Sequence, residues 1–178
     1  MVSRMQALRF LFSPSGRLAP RAFVLAAVAI YAAGLASQAL TTRDVLARAG
    51  LWPFAIAQAL LIWMWFVFHA RRLRDAGRSV GAAAGVSVLY ALSVLLLLLV
   101  AAAFIDFLTP QSSDPSATSA LGFILLVAIV AILSGSSNYD IVWVIVALLT
   151  TMALVPVVLS LALTIWAASR PSAAAQPQ

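Results

Sequence analysis

The chain has 178 residues with no cysteine, no lysine, no glutamate and a single histidine, His69. Without cysteine there is no disulfide, no thiolate nucleophile and no thiolate metal ligand. One histidine nearly excludes the usual zinc and iron sites, which gather several imidazole or thiolate ligands, so no cofactor or metal is expected. Charge of either sign is scarce, at 9% of residues, while 64% are hydrophobic. An ordinary soluble domain carries about 25% charged residues and could not cover a surface this apolar. Together with a mean hydropathy of +1.07, this makes lipid the solvent for most of the surface.

What charge there is has one dominant sign. All 11 basic residues are arginine, all five acids are aspartate, and the net charge is +6. In a soluble domain such a balance would suggest nucleic acid. Here the arginines sit between apolar runs, the pattern of membrane topology and anionic headgroups, and nucleic acid is not expected as a partner.

A helix needs roughly 20 apolar residues to cross a hydrocarbon core of about 30 Å. The run 22–40 qualifies, bounded by Arg21 and Arg43. Its length exceeds a signal-peptide core and about twenty residues precede it, so it reads as a retained span despite the small residues ending at Ala39. The run 51–70 follows, with Pro53 in its first turn and Trp63, Trp65 and Phe68 toward the other end as an interfacial belt would be. A third run covers 82–107 and exits at Asp106 into a stretch rich in Ser and Pro. Beyond it lie a short apolar run, 117–134, a polar break, and a long run, 141–169, containing Pro156. The expected fold is all-α, a polytopic transmembrane helix bundle of four or five spans. It is preceded by a basic N-terminal segment, 1–21, and followed by a small, polar tail, 170–178, expected to be disordered.

Arginine counting in short loops sets the orientation. Arg4, Arg9, Arg17 and Arg21 precede the first run, and Arg71, Arg72, Arg74 and Arg78 separate the second from the third. Both segments should be cytoplasmic, two spans apart, with the N-terminus inside a bacterial inner membrane; the Arg and Ala excess suggests a GC-rich bacterial genome. Arg170 votes for a cytoplasmic C-terminus, which fits four spans and conflicts with five.

The cluster "RRLRDAGRSV", 71–80, is the most distinctive stretch. If the second helix continued through it, Asp75 would pair with Arg71 at i,i+4 and with Arg78 at i,i+3. Alternatively Gly77 takes the left-handed position that stops the helix and Ser79 caps the next, which a chain reversing between spans requires. Asp75, the lone acid among four arginines, is a natural clasp for arginines from elsewhere, Arg17 or Arg21. The positive charge left over would face phospholipid phosphates or an acidic partner. The candidate lipid- or partner-binding residues are therefore Arg17, Arg21, Arg71, Arg72, Arg74, Asp75 and Arg78. A plain topology signal explains the same arginines equally well.

These two segments carry a resemblance. "FSPSGRLAPRAF", 12–23, before the first run and "RRLRDAGRS", 71–79, after the second resemble the bacterial inner-membrane family catalogued as domain of unknown function 805. Gly16, Arg17, Arg21 and Phe23 match the first motif approximately, with two extra residues at its start. Arg71, Arg72, Leu73, Asp75, Gly77, Arg78 and Ser79 match the second well. Arg74 replaces the family's usual histidine, and Val80 and Gly81 replace its Gly-Trp. The resemblance implies a small polytopic inner-membrane protein and supplies no mechanism.

Remaining features point to packing. "GAAAG", 81–85, and Ala29, Ala33 and Ser37 form small-residue stripes, expected to pack spans against one another or, less simply, to form a homo-oligomer or membrane-partner face. Gln58 is the deepest amide, with Ser87, Ser93, Thr150, Thr151 and Ser160 as hydroxyls. No run carries a charge at its middle, where an ion-coupled transporter would need one. Catalysis is not expected: "SGSS", 134–137, has only His69 as a base, on another span, and Asp106 and Asp140 lie at span ends. The reading is a non-enzymatic membrane protein with an arginine-rich cytoplasmic surface; the rival is a small oligomeric transporter or channel-like protein working around Gln58.

Overall fold

A computed structural model of the chain describes residues 16–108 and 141–172. Among them every regular element is helical: α1 (Pro20–Ala36), a 3-10 turn (Ser37–Thr41), α2 (Arg43–Ala49), α3 (Trp52–Asp75), α4 (Gly81–Leu108) and α5 (Ile141–Ser169). Four helical stretches, Pro20–Thr41, Trp52–Asp75, Gly81–Ala103 and Val146–Ser169, are long and apolar enough to cross a membrane. The all-α membrane architecture is therefore as the sequence indicates. The run 117–134, where a fifth span was expected, lies outside the described residues, as do residues 1–15 and 173–178.

Local chemistry explains most boundaries. Pro20 opens α1, where its missing N–H costs nothing, and Phe23 N–H closes the first turn onto Ala19 O at 3.0 Å. Ser37 ends α1 by turning its hydroxyl back onto Gly34 O at 2.6 Å. The seven-residue α2 has Asp44 in its first turn and Arg48 in its last, the order the helix dipole favours, and buries no residue. Gly50, at φ 61°, then reverses the chain into α3.

The end of α3 follows the second of the two readings of "RRLRDAGRSV". Gly77 takes φ 66°, its N–H donates to Arg74 O at 3.0 Å, and Arg78 N–H donates to Leu73 O at 2.8 Å. Those two bonds make a Schellman motif, with glycine at the residue that must be left-handed. The expected cap at Ser79 is displaced by one residue. Ala84 N–H donates to Val80 O at 3.0 Å, which puts Val80 at the N-cap of α4.

The chain divides into two compact units, Met1–Ala91 with Val158–Gln178, and Leu92–Val157. The first is built around Leu18, Phe23, Ile30, Trp65, Phe68, Leu73, Ala83 and Ala167. In it the start of α1, the end of α3, the start of α4 and the end of α5 share one end. Phe23 meets the His69 ring edge-on at 4.9 Å, and Arg72 reaches Ala167 O at 3.0 Å. The start of the first described span and the end of the last thus lie at the same end of this unit. In the second unit Val100 packs with Leu148 and Leu149.

The outward faces are unfit for water. Leu25, Leu35 and Ile165 are 72%, 77% and 70% exposed. Only 11–33% of each span's most apolar window is buried inside the protein. Surfaces this apolar and continuous belong in acyl chains.

The small-residue stripes pack in part only. A Cβ added at Gly81 or Gly85 would meet nothing within 4 Å, and Ala29 and Ala33 are exposed. Neither glycine nor these alanines bring described helices into close contact. Ala83, at the centre of the same stretch, is nonetheless fully buried in the core beside Phe23 and Trp65, and Ser37 meets Gln58 of α3.

Candidate functional site

The arginine end is organised around Arg72, whose side chain is fully buried. The last carbonyls of a helix have no partner within it. Arg72 supplies partners at the end of α5: its Nε–H donates to Ala167 O at 3.0 Å and one Nη2–H donates to Arg170 O. Its Nη1 donates to Asp75 Oδ2 at 2.5 Å and to Ser172 Oγ at 3.3 Å. The guanidinium therefore spends four of its five N–H groups. Ser172 Oγ in turn donates to Asp75 Oδ2 at 2.5 Å. One turn of α3 thus grips the C-terminus of α5 and the first residues past it, the start of the tail expected to be disordered.

Asp75 is a clasp, but for a different arginine from those the sequence offered. Its ion pair is with Arg72, three residues earlier on the same helix, not with Arg17, Arg21, Arg71 or Arg78. The physical reason is the helix stop. Gly77 turns the chain before Arg78, so Arg78 leaves the helical face, while Arg72 and Asp75 remain one turn apart on it. Arg17 and Arg21 are exposed at the start of α1.

The seven candidate residues therefore fall into two sets. Arg71, Arg72 and Asp75 are buried, with the Arg71 guanidinium 6.0 Å from the centre of the Phe68 ring. Arg17, Arg21, Arg74 and Arg78 are exposed on the same end of the first unit. Across the end of α5, Arg170 lies over the Trp166 ring at 4.9 Å, which keeps a further cation at this end.

No family model, curated protein or solved structure matches the chain. Its own geometry is the guide to function.

Directly beneath the clasp lies a polar ring that the sequence did not announce. His69 is fully buried, stacked on Trp65 at 3.7 Å. Its Nδ1 faces Trp65 O at 2.8 Å, a contact that only an N–H can make, so in the neutral ring Nε2 is an acceptor. Thr164 Oγ1 donates to Ser160 O at 2.7 Å and also lies 2.9 Å from Nε2, so its one proton is shared between the two acceptors. Tyr31 O–H then donates to Thr164 Oγ1 at 2.9 Å, and Trp65 Nε1–H donates to Tyr31 at 3.2 Å. The four bonds form a closed circuit, Trp65 to Tyr31 to Thr164 to His69 and back to the Trp65 carbonyl. It ties α1, α3 and α5 together, with Ser160 as a further acceptor for both Tyr31 and Thr164. Of its members, Tyr31 and Thr164 had no sequence signal beyond being polar in an apolar run.

Gln58 is tied separately. Ser37 has given its proton to Gly34 O, so its oxygen can only accept, and the Gln58 amide meets it nitrogen first at 2.9 Å.

Proposed function

We propose that the chain is a non-enzymatic protein of the bacterial inner membrane, with its N-terminus in the cytoplasm, whose arginine-rich end engages anionic phospholipid. The carrying observation is the division of the cluster: Arg72 and Asp75 are consumed by the helix clasp, while Arg17, Arg21, Arg74 and Arg78 stand exposed at one end of the first unit. Guanidinium forks match phosphate oxygens, and a basic juxtamembrane cluster gains about 1 kcal/mol per residue at an anionic leaflet. The resemblance to the domain of unknown function 805 family supports the same setting. The buried residues then have a positioning role, holding the ends of α3 and α5 so that the exposed arginines face one surface.

The test is a thermal shift. Detergent-solubilised protein should gain stability when dioleoylphosphatidylglycerol replaces dioleoylphosphatidylcholine, because a ligand that binds only the folded state raises the unfolding midpoint. Arg17→Gln/Arg21→Gln/Arg74→Gln/Arg78→Gln should lose that gain. An equal gain in the variant would sink the proposal.

The rival, a small oligomeric transporter or channel-like protein, has Gln58 as its best residue. Gln58 lines a cavity that has no charged side chain on its wall, whereas an ion-coupled transporter is expected to carry one near the membrane midplane. The cavity supports holding a neutral molecule instead.

A further inference from the structure

The cavity lies wholly within the first unit, between α1, α3, α4 and α5, and has a volume of about 350 Å³. That is the lower end of the range for small-molecule sites. Most of its wall is apolar, including Ile30, Leu61, Val86 and Leu161, and none of it is charged. A charged ligand would be left without a counter-ion in a low-dielectric site, so the occupant is neutral.

The polar groups on the wall are accounted for by donor arithmetic. Tyr31 and Trp65 are spent in the His69 circuit, and Ser87 donates to Ala83 O at 2.8 Å. Two groups remain. Gln58 is only 6% exposed, and its single hydrogen bond among the described residues is the donation from Nε2 to Ser37. Because Ser37 can only accept, the amide cannot flip, and the one hydrogen bond Gln58 makes among the described residues leaves Oε1 as an acceptor open to the cavity. Tyr90 also lines the cavity, and its hydroxyl makes no hydrogen bond among the described residues. An acceptor that opens onto an otherwise apolar cavity is best matched by an occupant that brings a donor.

We infer that this cavity binds the hydroxyl end of a neutral, chain-bearing lipid. The hydroxyl donates to Gln58 Oε1 and accepts from Tyr90, and its chain fills the apolar remainder. This inference is independent of the arginine end.

Bromoundecanol, with the bromine at the end remote from the hydroxyl, is a direct probe, since bromine quenches indole fluorescence on contact and Trp65 lines the cavity. In lipid discs of dioleoylphosphatidylcholine the wild-type protein should show saturable quenching. Bromoundecane, which lacks the hydroxyl, should bind about tenfold more weakly, the worth of one hydrogen bond. Gln58→Leu should weaken bromoundecanol by a similar factor and leave bromoundecane unchanged. Val86→Phe should abolish the saturable component; Leu161→Phe fills the same space should Val86→Phe unfold. Quenching that rises linearly without saturating, equal affinity for alcohol and bromoalkane, or an unchanged Gln58→Leu variant would each overturn the inference and leave the cavity to ordinary acyl chains.

Discussion

Asp75→Asn removes one negative charge and almost no volume. In the wild type Asp75 Oδ2 sits 2.5 Å from Arg72 Nη1, with side chains 12% and 0% exposed. The asparagine can still receive a hydrogen bond from Ser172 or Arg72, but it leaves the guanidinium buried without a counter-charge. Taking one partner from a buried pair costs about 3–5 kcal/mol, and retention of the neutral bonds places this variant near 3 kcal/mol. Arg72→Met/Asp75→Ala removes both charges, so its loss should fall short of the summed single losses by about 2 kcal/mol. Unfolding in mixed micelles, followed by far-UV circular dichroism, reads both quantities. The loss should also be nearly independent of salt, because the pair is buried. An Asp75→Asn protein within about 0.5 kcal/mol of wild type would show that the clasp does not hold α3 to α5.

Other consequences follow from individual contacts. Gly77→Ala, at φ 66°, should cost about 1–2 kcal/mol in the same unfolding assay, since a side chain there opposes the left-handed backbone. Because His69 is the one histidine in the chain, nitrogen-15 spectra of labelled histidine should show only the neutral form protonated at Nδ1 at pH 7.5; the Nε2-protonated form would reverse the circuit. Thr164→Val removes the hydroxyl beside His69 Nε2, while the Tyr31 hydroxyl keeps Ser160 and Trp65, and should cost about 1–3 kcal/mol, again read by unfolding. Gly85→Ala meets open space and should leave stability unchanged or raised by up to about 1 kcal/mol; a marked loss would mean that this face is occupied.

Much of the architecture was legible because it follows from one-dimensional rules. A bilayer imposes a minimum apolar length, so the spans beginning near Pro20, Trp52 and Gly81 could be read directly, and a glycine between two spans marked the helix stop at Gly77. The clasp was half legible. Asp75 stood out as the lone acid in its cluster, but its choice of Arg72 depends on where the helix ends, on the orphan carbonyls of α5 and on Ser172, 97 residues away. The His69 circuit and the cavity were not legible, because Tyr31, Thr164 and Gln58 look like ordinary polar interruptions until α1, α3 and α5 are brought together. Gly81 and Gly85 illustrate the converse: a small-residue spacing permits close approach without requiring it.

The most direct test of the arginine end is mass spectrometry of the lipids that stay bound when the protein is taken from bacterial membranes in native lipid discs. Wild type is compared with Arg17→Gln/Arg21→Gln/Arg74→Gln/Arg78→Gln and with Arg43→Gln/Arg48→Gln, which alters the opposite loop by the same chemistry. Retention of phosphatidylglycerol or cardiolipin by wild type and by the Arg43/Arg48 variant, with loss from the fourfold variant, is the expected result. The same lipids on all three proteins would contradict the proposal and reduce the exposed arginines to a topology signal.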